Sequence, residues 1–151
     1  MKYRLPGLVA AAALPLTGIL TTVSAASAAS GSVVINEIMY NPASDVDDEE
    51  FLEIHNPGDT AVSLSGMSFT DGISGTFGDL TLEPGAYAII SPSIATSELI
   101  YGVTPIMEYG GGIKNSGETI TLTGPDGVSI VDSVTYDDGD GWPVRRGPRH
   151  A

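Results

Sequence analysis

The side chains with most chemistry to offer sit close together. Asp45, Asp47, Asp48, Glu49 and Glu50 crowd one short stretch, and Asp137, Asp138 and Asp140 form a second acidic group toward the end of the chain. Carboxylates at this density suit calcium, which takes carboxylate and carbonyl oxygens in flexible geometry. Neither run has the Asp-x-Asp-x-Asp-Gly spacing with a later Glu that marks an EF-hand loop. Asp45, Asp47, Asp48 and Glu49 are therefore weak calcium candidates, with an affinity expected at about 0.1–1 mM. The competing expectation is a solvated acidic rim that keeps the protein soluble. No cofactor is expected beyond this weak calcium.

Other chemistries are poorly supplied. Cysteine is absent, so thiol catalysis, disulfides and lipid attachment through a cysteine are excluded. The two histidines, His55 and His150, cannot furnish the nitrogen and sulfur ligands a zinc site needs. His55 falls in "FLEIHN" on the same strand face as Phe51 and Glu53, opposite Leu52 and Ile54. No Gly-x-Ser-x-Gly elbow accompanies it, so a structural or surface role is expected. The glycines of "YGGGIKNSG", Tyr109 to Gly117, lack the strand-to-helix setting of a phosphate cradle and read as a loop. With few aromatics and no evident sugar cleft, a paired-carboxylate glycosidase is not supported. The expectation is a protein without a catalytic centre.

The ends of the chain differ from its middle. Lys2 and Arg4 precede an apolar stretch from Leu8 to Leu20 and then small residues in "VSAASAAS", the build of a secretory signal with cleavage expected after Ala28. The apolar stretch is shorter than the roughly 20 residues a membrane span requires, and no second one follows. The expected organisation is a signal peptide at 1–28, one domain at 29–142 and a basic irregular tail at 143–151 that suggests a truncated or altered end. The formal charge of −13 becomes about −15 once Lys2 and Arg4 are removed, since 4 bases then face all 19 acids. A nucleic-acid backbone is an unsuitable partner for such a surface. A secreted protein that binds another protein is the expectation.

Something must position these side chains, and the pattern between them is that of strands. Val33 to Met39, Phe51 to Asn56, Ala61 to Leu64, Met67 to Thr70, Tyr87 to Ser91, Glu118 to Thr123 and Ile130 to Tyr136 are short and rich in Val, Ile, Thr and aromatics. "NPGD", "EPGA" and "GPDG" separate them with turn chemistry, so successive strands are expected to reverse direction in mostly antiparallel sheets. In "ETITLTG" Ile120 and Leu122 alternate with threonines, the period of a half-buried strand. The only helical turn expected runs from Thr96 to Tyr101. The economical architecture is an all-β, immunoglobulin-like antiparallel sandwich, with Ile35, Leu52, Ile54, Leu64, Phe69, Ile89, Ile120, Leu122, Val131 and Val134 in its core.

The order of these pieces resembles the bacterial secreted members of the lamin-tail domain family. The resemblance rests on Asn36-Glu37 in the first strand, Phe51 to Asn56 with Pro57 and Gly58, and Leu64 to Gly66. It continues through Phe77, the turn from Leu82 to Gly85, and Ser116 to Leu122 followed by Gly-Pro-Asp-Gly. It implies an immunoglobulin-like sandwich acting as an interaction or targeting module. The alternative it allows is an accessory-domain fragment of a larger extracellular hydrolase or nuclease. After Trp142 the pattern is lost, since "VRRGPRHA" stands where relatives continue into an apolar strand.

Overall fold

The computed structural model describes residues 33–139. The signal segment 1–28, Asp140, the tail 143–151 and His150 lie outside the described residues. Ten strands and one helix follow in order: β1 (Val34–Met39), β2 (Phe51–His55), β3 (Val62–Ser63), β4 (Ser68–Asp71), β5 (Gly75–Thr76), β6 (Thr81–Leu82), β7 (Tyr87–Ser91), α1 (Ile94–Tyr101), β8 (Met107–Glu108), β9 (Gly117–Thr123) and β10 (Ile130–Asp137). One sheet has the order β1-β2-β7-β8 and a second the order β10-β9-β4-β5, with β3 and β6 forming a short ribbon. The fold is an immunoglobulin-like β-sandwich.

Alternation sorts the side chains. In β2, Leu52 and Ile54 point inward while Phe51, Glu53 and His55 lie on the half-buried outer face. Leu52, Ile54 and Ile90 of one sheet meet Phe69, Ile120, Leu122 and Tyr136 of the other in the core. Each fully buried aliphatic side chain contributes about 1.5–3 kcal/mol. Seven of the ten expected core residues are buried. Ile89 is half-buried and Ile90 takes the core position, a phase shift of one residue, while Val131 and Val134 pack partly buried at the margin.

The three turns lead the chain to different places. β2 pairs with β7, and β3 pairs with β6. "NPGD" and "EPGA" are thus corners that carry the chain elsewhere, and only "GPDG" closes a hairpin, between β9 and β10. A tight turn dictates reversal but not which sheet receives the next strand. The ladders are mostly antiparallel, as expected, and β8 alone among the described strands pairs in parallel, with β7. The connection between them contains α1, which begins two residues earlier than expected because Ser93 Oγ accepts the Thr96 amide as an N-cap. Gly102 ends it in the left-handed conformation, φ 68°.

Candidate functional site

Asp45 to Glu50 form the crossing from β1 to β2. Asp45 takes a left-handed φ of 57°, with its amide donating to the Pro42 carbonyl at 3.2 Å. Asp47–Glu49 make one turn of 3-10 helix. Asp45, Asp47 and Asp48 are exposed and Glu49 is half-buried. Among the described residues, no three acidic or histidine side chains converge as a metal site would require.

Glu50 differs from its neighbours. It is 2% exposed, because it keeps the inward phase of Leu52 and Ile54 one step before β2 begins. Its Oε2 accepts the Ile113 amide at 2.9 Å. Burial pushes its carboxyl above the ordinary range, and the Asp47 and Glu118 charges add to the rise while the Ile113 amide opposes it. Tyr109 is buried nearby, with its hydroxyl facing the Glu50 carboxylate. Burial first, and then the Glu50 charge, hold that hydroxyl well above the ordinary phenol range. Sequence reasoning counted Glu50 with the acidic crowd and missed its separate role. The signal was present in its phase with Leu52 and Ile54.

Glu50 and its surroundings organise the glycine-rich loop. Glu118 Oε1 accepts the Lys114 amide at 2.9 Å, its Oε2 pairs with Lys114 Nζ at 3.1 Å, and Tyr136 Oη donates to the Lys114 carbonyl at 2.6 Å. Gly117 then enters β9 at φ 97°, where a Cβ would stand 2.5 Å from the Tyr136 carbonyl, so glycine is required. Two carboxylates and a phenol therefore fix a loop that has few side chains of its own.

A second inward polar residue went unrecognised. Asn56, expected as the first residue of a turn, is fully buried. Its Nδ2 donates to the carbonyls of Thr60 at 2.8 Å, Leu82 at 2.9 Å and Glu83 at 3.1 Å. Its Oδ1 accepts the Gly58 amide at 3.0 Å. One amide thus staples the "NPGD" corner to the "EPGA" corner. His55, one residue earlier, stacks face to face on Tyr87 with ring centroids 4.0 Å apart and planes 2° from parallel.

The two margins of the sandwich are built differently from each other. β1 and β10 end their respective sheets and lie side by side. Among the described residues no ladder joins them. Asp132 Oδ2 instead accepts the Ile35 amide at 2.7 Å, next to the bulge in β1 between Ile35 and Glu37, and Tyr40 packs on Tyr136 at 5.0 Å. On the opposite margin a bridge between Ser74, just before β5, and Gly110, just after β8, joins the ends of the two sheets.

No curated protein matches the chain. A family comparison is positive: residues 26–138 match the Lamin Tail Domain, from before β1 to just past the end of β10. A match over that much of the chain, on a sandwich of this topology, places the protein in the lamin tail domain family.

Proposed function

We propose that this chain is a secreted, non-catalytic module that binds a protein partner along the seam between β1 and β10. The observation that carries the reading is the seam itself, two terminal strands held together by a side-chain contact and aromatic packing in place of a backbone ladder. Strand edges of this kind offer backbone groups that another chain can extend. The family is one of immunoglobulin-like, non-catalytic domains, which supports a binding role over an enzymatic one. The composition of residues 1–28 supports export.

The experiment is affinity capture from the extracellular fraction, followed by amide hydrogen exchange on the reconstituted complex. Protection is expected in β1 and β10. A complex whose protection falls elsewhere in the sandwich removes the seam from the proposal. A chain retained inside the cell after expression in its natural host removes secretion.

A further inference from the structure

Along its Met39 end, the seam opens into a groove of about 1010 Å³ between β1, the end of α1 and the loop at Asn115 and Ser116. Three features of its walls are unusual together. The apolar surface includes Ile38, Met39 and Ile100. Helix α1, which gives Ile100 to the wall, is turned inside out, with Ser97 buried while Ile100 is 49% exposed and Leu99, outside the groove, is 82% exposed. A surface helix ordinarily buries its apolar stripe, and apolar patches left in water mark interaction sites. Glu37, Glu49 and Asp138 also stand along the groove. Lys114 is the single Lys or Arg among the described residues, and it is already paired with Glu118. The groove acids therefore have no cation to meet within the described domain.

From this juxtaposition we infer that the groove receives an extended polypeptide segment of a separate partner that places Lys or Arg beside a large apolar side chain. The inference rests on the interaction reading above and specifies its partner. The apolar residue lies against Ile38, Met39 and Ile100, and the cations face Glu37, Glu49 and Asp138. Tyr101 holds the helix end in place, since its Oη donates to the Glu49 carbonyl at 2.8 Å and its ring packs edge-on against Phe51 at 5.4 Å. The acidic wall supplies charge selection, and the apolar floor supplies the contact area.

The test uses the full chain and a fluorescent ten-residue probe with one Trp flanked by two Arg, read by anisotropy. Binding should weaken at least tenfold when the two Arg become Glu, and should weaken with added salt as exposed charge pairs do. The double variant Glu37→Lys with Glu49→Lys should lose the probe at least tenfold, and Ile100→Asp likewise, with thermal unfolding unchanged as a check on folding. Equal binding of the Arg and Glu probes, or binding indifferent to these substitutions, overturns the proposal. Probe binding seen only after Arg145, Arg146 and Arg149 are replaced by Ser assigns the groove to the chain's own tail and also overturns it. So does a concentration-dependent dimer that Ile100→Asp dissolves and the probe does not disturb, which makes a second copy the occupant. If a natural partner protects β1 and β10 while the probe fails, the charge rule falls and the seam reading survives.

Discussion

Glu49 and Glu50 are adjacent in the chain and live in different media. Glu49 belongs to a short 3-10 turn, half-buried beside the exposed Asp47 and Asp48, where water still reaches each charge. Glu50 lies one residue nearer β2 and has entered the strand's alternation, so its carboxylate faces the interior and holds the Ile113 amide. Asn56, at the far end of the same strand, repeats the inward pattern with an amide. An acidic residue is a solvated charge or a structural clamp according to which side of the backbone it leaves. Residue type does not decide between them.

Breaking the inward group should show the largest effects. Asn56→Ala leaves the Thr60, Leu82 and Glu83 carbonyls and the Gly58 amide without their side-chain partner. The loss should be about 2–4 kcal/mol, combining several buried bonds each costing about 1–3 kcal/mol if left unmade. Chemical denaturation measures it; a loss below about 1 kcal/mol would show that the two corners hold without their staple. Glu50→Ala should cost about 1–3 kcal/mol through the unsatisfied Ile113 amide, with faster hydrogen exchange confined to the 110–117 loop.

Glu50→Gln sharpens the comparison by keeping an acceptor while removing the charge. Because the native pKa of Glu50 is raised above its ordinary 4.5, its proton binds the native state more tightly than the unfolded one. The contribution is thus complete below pH 4.5 and is lost as pH rises through the native pKa. Relative to Glu50→Gln, the wild type should therefore gain stability as pH falls from neutral toward 4.5 and then level off. Asp126 has the opposite sign. The Ser129 hydroxyl, then the Val128 and Ser129 amides, hold its pKa down at about 2 against an ordinary 3.8. Its contribution is present above pH 3.8 and disappears as pH falls through about 2, a difference that Asp126→Asn should erase. Parallel melts of the three proteins across pH 2–8 read both windows.

The smallest effects belong to the outer acids. Asp47→Ala with Asp48→Ala should change stability by no more than about 0.5 kcal/mol, as exposed substitutions do. Calcium should act on Asp45, Asp47, Asp48 and Glu49 only at about 0.1–1 mM, measured by calorimetry. Micromolar affinity abolished by Asp47→Ala and Glu49→Ala would make this loop a specific site and erase the contrast with Glu50.

The chain's local pattern determined much of this protein by itself. Period-two alternation in Phe51–His55 and Gly117–Thr123 placed Leu52, Ile54, Ile120 and Leu122 in the core, because successive strand side chains point to opposite faces whatever lies beyond them. Pro and Gly marked where the chain bends, because their backbone preferences are intrinsic. Tertiary structure alone decided where each bend led. The Asn56 and Glu83 corners dictate only that the chain bends, and β2 found β7 across a long loop, because pairing depends on complementary surfaces distant in sequence. It also gave Glu50 its loop to hold, since Ile113 is 63 residues away. The inverted helix, with Ser97 inside and Leu99 outside, follows from the same cause: the direction a short helix faces is set by the strands it connects.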